Sequence, residues 1–107
     1  MKRGALYWVN LEQGRLSEFG KTRPALIISN SDQNSMLPTV VILPLSTQPP
    51  EIWPLRLALK MPRGKESFVV IPGIRHVHKT RLQETIGLVH PSFLDRIDEA
   101  LFAYLRD

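Results

Sequence analysis

Short runs of strand-type residues follow one another along most of this chain, and their spacing constrains the fold more than any other feature. Each run is rich in β-branched or aromatic residues and is bounded by Gly, Pro, Asn, Asp or Ser. No helical pattern separates the runs, so they predict an antiparallel curled sheet or a small barrel rather than a parallel α/β sheet. The predicted strands are Ala5–Leu11, Pro24–Ser29, Thr39–Leu45, Leu55–Lys60, Ser67–Ile71, Ile74–Val77 and Thr85–Val89.

The period of the apolar residues changes at the C-terminal end. Pro91 suits the first turn of a helix, with His90 or Ser92 as the cap. The sequence therefore predicts a mainly β fold followed by one C-terminal helix. Its apolar face consists of Phe93, Leu94, Ile97, Leu101, Tyr104 and Leu105.

Three longer connections separate the predicted strands: Glu12–Thr22, Asn30–Pro38 and Thr47–Trp53. Long loops of compact domains often carry function, so we expect the chemistry there. Pro44 lies inside a predicted strand and has no N–H for the ladder. It predicts a bend, a bulge or an edge position.

Composition limits the class of protein and its partners. A chain of 107 residues fits a single domain, 1–107, and contains no apolar run long enough to span a bilayer. It has no cysteine and no signal-peptide pattern, which fits a cytoplasmic protein. The formal net charge is +4, and nine of the 14 basic residues are arginine. This balance favours an anionic partner, either a nucleic acid or an acidic protein segment.

Three residue types near the first and third long loops could together cleave RNA without a metal or another cofactor. Arg23 begins a predicted strand, Glu18 lies just upstream, and Ser46 and Thr47 follow the third strand. A carboxylate can take the proton from a ribose 2′-OH, and an arginine can stabilise the charge on the phosphorane. A hydroxyl can donate to a non-bridging oxygen. On position alone, a surface salt bridge is the favoured interpretation of Arg23, and capping of a turn is the favoured interpretation of the hydroxyls.

Ordered motifs along nearly the whole chain resemble the MazF/PemK (Kid) family, the toxin endoribonucleases of type II toxin–antitoxin systems. They include Glu18 upstream of Lys21-Thr22-Arg23-Pro24, and the segment Leu43–Gln48, which reads apolar-Pro-x-Ser-Thr-Gln. Further matches are Gly4–Val9, Trp53-Pro54-Leu55, Ser67–Val70, Ile74-Arg75, Lys79-x-Arg81-Leu82 and Ile86-Gly87.

The resemblance implies an SH3-like barrel of the CcdB/Kid/MazF type with a C-terminal helix. It implies a homodimer that cleaves single-stranded RNA, above all mRNA, by 2′-OH attack and is neutralised by an acidic antitoxin protein. By position, Arg23 matches the residue that stabilises the phosphorane, and Ser46 matches a catalytic threonine of relatives. Thr47 takes that role if the alignment is shifted by one, and Glu18 matches the upstream acid.

One segment departs from the family pattern. Pro72-Gly73 replace an acidic residue and a glutamine of many relatives, and His78 replaces a common aspartate. Arg75 can supply the arginine of a catalytic Asp/Arg pair, but the matching acid is missing. The base role then passes to Glu18 alone or to His76 or His78, unless activity is reduced.

Further residues are candidates for RNA binding. Trp53 is predicted either to stack on a base or to pack across a dimer interface, whereas Trp8 is predicted to be core. The two histidines share a strand face, but no third ligand stands near them in sequence, which disfavours a metal site. The substrate-binding candidates are Lys21, Gln48, Trp53, Arg75, His76, Lys79 and Arg81, and Arg56, Arg63 and Lys65 could extend a phosphate-tracking surface.

Two other functions remain open at this point. One is a non-catalytic toxin that binds DNA gyrase, as the CcdB branch does, although the Arg-Pro and Ser-Thr-Gln motifs speak against it. The other is a catalytically silent module that only binds an antitoxin or a nucleic acid.

Overall fold

The computed structural model describes residues 1–11, 22–62 and 64–107. Seven antiparallel strands and two helices make up its regular structure, with 3₁₀ turns at Ile71–Gly73 and Lys79–Arg81. The elements are β1 (Ala5–Asn10), β2 (Thr22–Ile27), α1 (Ser31–Met36), β3 (Thr39–Ser46), β4 (Arg56–Lys60), β5 (Glu66–Val70), β6 (Arg75–His78), β7 (Leu82–Leu88) and α2 (Pro91–Leu105). The strands confirm the predicted ones to within a few residues at each end.

The sheet is curled, as the strand spacing predicted. Its path runs β4-β5-β3-β2-β1-β7, and β6 also pairs with β3. In a flat sheet β6 and β7 would lie four strand spacings apart, or roughly 19 Å. The 3₁₀ turn Lys79–Arg81 joins them directly, and even an extended link from His78 to Leu82 reaches at most roughly 14 Å. The sheet must therefore bend until β6 and β7 approach each other.

Apolar residues fill both faces of the curled sheet. One cluster lies on the concave face and includes Val9, Ala25, Ile42 and Val77. The other lies on the convex face, where α2 packs, and its members from the strands and α2 include Leu6, Leu26, Leu43, Leu45, Leu57, Val69, Ile97 and Ala100. Neighbouring residues of a strand point to opposite faces, so each strand of the centre contributes to both clusters.

Helix α2 covers the convex face with its first turns. His90 caps it, since its Nδ1 accepts from the N–H of Ser92 at 3.0 Å, and Pro91 opens the first turn, as predicted. Ile97 is fully buried, but Leu105 in the last turn is 67% exposed. The predicted apolar face is thus buried only along the first turns. No helix in the described ranges is long and apolar enough to cross a membrane.

Pro44 lies where β3 changes partners. β3 pairs with β6 from Thr39 to Ile42 and with β5 at Leu45 and Ser46. β3 is therefore a central strand, and the edge position considered for Pro44 is wrong. A residue without an N–H is tolerated here because neither β5 nor β6 pairs with it on that side. The turn containing Gly73 fills the gap, and a Cβ on Gly73 would stand 2.6 Å from Pro44 Cγ.

A short helix, α1, lies inside the predicted loop Asn30–Pro38. Asn30 caps it, because its Oδ1 accepts from the N–H groups of Asp32 and Gln33. Asn34 is buried, donates to the carbonyls of Met1 and Ser29 at 3.1 Å, and accepts from Ser29 Oγ at 2.6 Å. These bonds tie α1 to the N-terminal segment and to the end of β2.

The loop before β4 folds back along the outer edge of that strand. Glu51 Oε2 accepts from the Ala58 N–H at 2.9 Å, and Arg96 of α2 stands 3.4 Å from the same oxygen. Arg56 Nη1 donates to the Gln48 carbonyl, and its backbone bonds with Ile52. The loop is therefore anchored to β4 at several points.

Candidate active site

Arg23 and Ser46 belong to neighbouring strands, β2 and β3, near one end of the concave face. The antiparallel pairing of these strands runs from Ile27↔Ile42 to Ala25↔Pro44, so each residue lies two positions beyond the last pair on its strand. Alternation along the strands places both residues on the face of Ala25 and Pro44. The arginine and the hydroxyl that the sequence selected are therefore on neighbouring strands and on the same face of the sheet.

The two candidate hydroxyls face different surroundings. Ser46 is half-buried, and its Oγ accepts from the N–H of Gln48 at 3.0 Å. A hydroxyl that accepts in this way still carries a hydrogen to donate. Thr47, one residue on, is exposed and lines a cleft on the convex face together with Arg23. Arg23 therefore lies at the border between two surfaces: the concave face, which carries Ser46, and the cleft, which Thr47 also lines.

Two further arginines lie on or near the concave face. Arg75 opposes Ile42 and is half-buried, two same-face positions along β3 from Ser46. Arg81 Nη1 donates to the Asn10 carbonyl at 3.1 Å, and Asn10 pairs with Thr22, the residue before Arg23. Both predicted phosphate-binding arginines are thus connected to β2 or β3. Arg75 belongs to β6, which pairs with β3, and Arg81 bonds to a residue of β1, which pairs with β2.

The histidines and Lys79 lie elsewhere. His76 and His78 are exposed, and they oppose Val41 and Thr39 on the strand face that Arg75 does not share. His78 Nδ1 accepts from the Thr80 N–H at 3.2 Å and so caps a 3₁₀ turn. The N–H of Lys79 bonds to Pro38, at the opposite end of β3 from Ser46. The structure does not bring these residues to Ser46.

The remaining predicted site residues divide into two groups. Gln48 and Trp53 are exposed in the loop before β4, and the two readings of Trp53 both remain predictions. Glu18, Lys21 and Arg63 lie outside the described residues. Among the residues that are described, no group of three His, Asp or Glu side chains could hold a metal ion.

Sequence reasoning missed a cleft of about 680 Å³ on the convex face beside Arg23. Trp8 was predicted to be core, but it is 40% exposed and lines this cleft. Leu6, on the same face of β1, is buried, so the core ends between the two residues. Glu84 is a carboxylate in the same cleft as Arg23. Its position two residues after Leu82 in β7 gave no signal, because the family pattern places the missing acid near Arg75. The polar lining residues are Thr22, Arg23, Thr47, Lys65, Ser67, Glu84 and Thr85.

The fold is thus a curled antiparallel sheet with a C-terminal helix, and the arginine at the end of β2 is a residue type suited to bidentate phosphate contact. The chain matches the family model of PemK-like, MazF-like toxins of type II toxin–antitoxin systems over residues 2–105. It belongs to that family. The match confirms the resemblance and the CcdB/Kid/MazF-type fold.

Named relatives agree with this assignment. The chain is 30% identical to Endoribonuclease EndoA of Bacillus subtilis (strain 168) over 105 residues, which cover 94% of this chain and 90% of that enzyme. It is 26% identical to Endoribonuclease MazF9 of Mycobacterium tuberculosis, covering 98% and 96% of the two chains. A solved mycobacterial endoribonuclease in complex with its cognate antitoxin is similar at a TM-score of 0.81 and 28% identity, covering 98% of this chain and 94% of that one.

Proposed function

We propose that this chain is an endoribonuclease that cleaves single-stranded RNA, with mRNA as its main target, and is the toxin of a type II toxin–antitoxin pair. Its family and its similarity to two endoribonucleases support the activity. The observation that carries the proposal for the site is the placement of Arg23 and Ser46 on adjacent strands, each two residues beyond the Ala25↔Pro44 pair. A fixed arginine beside a fixed hydroxyl is suited to the charge that develops on a phosphorane.

The reaction begins when a base removes the proton of the ribose 2′-OH. The 2′ oxygen then attacks the adjacent phosphorus, the bond from phosphorus to the 5′ oxygen breaks, and an acid protonates that leaving oxygen. The products are a 2′,3′-cyclic phosphate and a 5′-hydroxyl. Arg23 stabilises the equatorial oxygens, and Ser46 donates a hydrogen bond to one of them. Glu18 is the proposed base, and no step requires a metal or another cofactor.

Ser46 is preferred over Thr47 as the donor because strand alternation, counted from Ala25↔Pro44, places it on the same sheet face as Arg23. Thr47 lines the cleft that Arg23 also reaches, so it is the alternative donor. Arg75 and Arg81 extend the positive charge along the concave face. They bind the phosphates that flank the cleavage site, and Lys21, Gln48 and Trp53 contact the RNA from the adjoining loops.

The protein acts in the cytoplasm as a homodimer of single-domain chains. An acidic antitoxin segment neutralises it by covering the basic surface, a match to the +4 charge of the chain. The similar mycobacterial endoribonuclease was solved with its cognate antitoxin, which supports such a partner here.

The test uses purified protein, a pool of single-stranded RNA and excess EDTA. Arg23→Ala should lower the cleavage rate roughly 100- to 1,000-fold, the usual effect of losing one transition-state donor. Ser46→Ala should lower it similarly, whereas Ser46→Thr should retain activity because it keeps the hydroxyl. Arg106→Ala removes an arginine that instead stacks on Phe102 at the end of α2, and it should cleave like the wild type.

The ends of the products decide the chemistry. New 5′ ends should accept phosphate from polynucleotide kinase without prior phosphatase treatment. Wild-type cleavage by Arg23→Ala, or 5′-phosphate products, would contradict the proposed site. Loss of activity in Thr47→Ala but not in Ser46→Ala would move the donor role to Thr47.

A further inference from the structure

The apolar core of the convex face ends on three neighbouring strands, β1, β2 and β3. The cleft beside Arg23 begins at the residues that follow it on the same face. Leu6, Leu26 and Leu45 are buried, and the next same-face residues, Trp8, Pro24 and Thr47, all line the cleft. Trp8 and Pro24 are also directly paired across β1 and β2. Residues of paired strands therefore form the floor of the cleft, and Trp8 presents an exposed aromatic ring there.

The walls combine apolar surface with opposite charges. Met61, Pro62 and Ile86 line the cleft beside Trp8, whereas Lys65 and Glu84 supply a cation and a carboxylate. A purely apolar ligand would leave both charged groups without partners, and a free phosphate would meet the Glu84 carboxylate. A flat ring with polar atoms along its edge satisfies both parts of the lining. Aromatic side chains bind unpaired bases in this manner.

Arg23 connects this cleft to the proposed site of cleavage, since it lines the cleft and is itself the residue proposed to stabilise the phosphorane. We propose that the cleft is a nucleobase-binding subsite, in which an unpaired base next to the scissile phosphate stacks on Trp8 and donates hydrogen bonds to Glu84. This assignment rests on the proposed ribonuclease function and adds a residue that reads the RNA sequence.

The chemistry of a carboxylate selects among the four bases. An ionised Glu84 only accepts hydrogen bonds. Guanine presents two adjacent donors, N1–H and N2–H, whereas adenine and cytosine each present one amino group on that edge. Uracil presents a single N3–H between two carbonyl oxygens, which a carboxylate repels. Glu84 therefore favours guanine and disfavours uracil, and one good base contact discriminates roughly 5- to 150-fold.

The first experiment measures base preference during cleavage. A randomised single-stranded RNA pool is cut by the wild type, Glu84→Gln and Glu99→Gln, and the sequences at the cut sites are compared. Glu99 is an exposed glutamate of α2, so its variant is a charge-matched control. We expect guanine over uracil at one position beside the cut for the wild type and Glu99→Gln. The ratio should fall to within about threefold in Glu84→Gln, whose amide also donates.

The second experiment measures binding without cleavage. The chain has two tryptophans, so a Trp53→Phe variant reports the fluorescence of Trp8 alone. Short 2′-deoxy oligonucleotides lack the attacking hydroxyl and serve as the probe. Oligonucleotides with guanine should quench the fluorescence of Trp8 at a concentration roughly 5- to 150-fold lower than oligonucleotides with uracil. Adding Glu84→Gln to this variant should remove the difference.

The two experiments separate failure of the subsite from failure of the proposed function. Guanine-selective quenching without cleavage of any RNA would keep the subsite and reject the ribonuclease. Cleavage with the same base preference in the wild type and Glu84→Gln would reject the subsite alone. A uniform loss of cleavage for all sequences in Glu84→Gln would also overturn it, because that pattern belongs to a catalytic or structural residue.

Discussion

Asn34 should stabilise the fold far more than its place in a six-residue helix indicates. It is 1% exposed and makes three hydrogen bonds, two as a donor to the carbonyls of Met1 and Ser29 and one as an acceptor from Ser29 Oγ. Each bond contributes about 1 kcal/mol net. Alanine is the better helix former by about 0.6 kcal/mol. We therefore expect Asn34→Ala to lower the free energy of unfolding by about 2–3 kcal/mol.

Urea and thermal unfolding followed by far-UV circular dichroism measure this change. For a domain of this size the loss corresponds to a fall in Tm of roughly 10–20 °C. Asn34→Asp keeps the shape but turns an acceptor toward both carbonyls, so at neutral pH it should destabilise more than alanine does. Gln33→Ala, at an exposed position of the same helix, is the control and should stay within about 0.5 kcal/mol of the wild type. An equally small change in Asn34→Ala would refute the reasoning.

Two tightly packed positions, Gly73 and Ile97, give further predictions. Gly73→Ala should destabilise by about 1–3 kcal/mol, because the new Cβ would stand 2.6 Å from Pro44 Cγ. Chemical denaturation should show a smaller effect of Gly73→Ala in a Pro44→Ala background, and strict additivity would contradict the clash. Ile97→Ala should lower the free energy of unfolding by about 2–5 kcal/mol, since Ile97 is fully buried. Leu105→Ala, at the exposed end of the same helix, should change it little, and equal melting temperatures of the two variants would contradict this account.

The elements that the sequence predicted correctly are those with a local signal. The alternation of β4 and the apolar period of α2 are visible within a few residues, and both elements formed where expected. Helix α1 has no apolar period, because its buried residue is Asn34, whose side chain bonds to Met1 and Ser29 outside the helix. The capping residue Asn30 was the one local sign of it.

In the candidate site, too, the sequence predicted the residues that carry a local motif but not the contacts that depend on strand pairing. Motifs identified Arg23 and Ser46, but their place on neighbouring strands depends on the pairing of β2 with β3, which a long connection separates. Trp8 was misassigned because residue type predicts that a side chain is apolar, not where the core beneath it ends. Glu84 reaches the cleft through the pairing of β7 with β1, a contact between the two ends of the chain.

The contact of Glu51 with the edge of β4 affects how the protein behaves at high concentration. A bare outer strand is a template on which another chain can add a strand and start an aggregate. Here Glu51 Oε2 already accepts the hydrogen bond of the Ala58 N–H, and an incoming strand would have to displace this side chain. The same loop carries Trp53, so exchanging it for a relative's loop to change RNA preference would also remove this protection. Such a chimera should stay monodisperse only if the new loop supplies an acceptor at the position of Glu51.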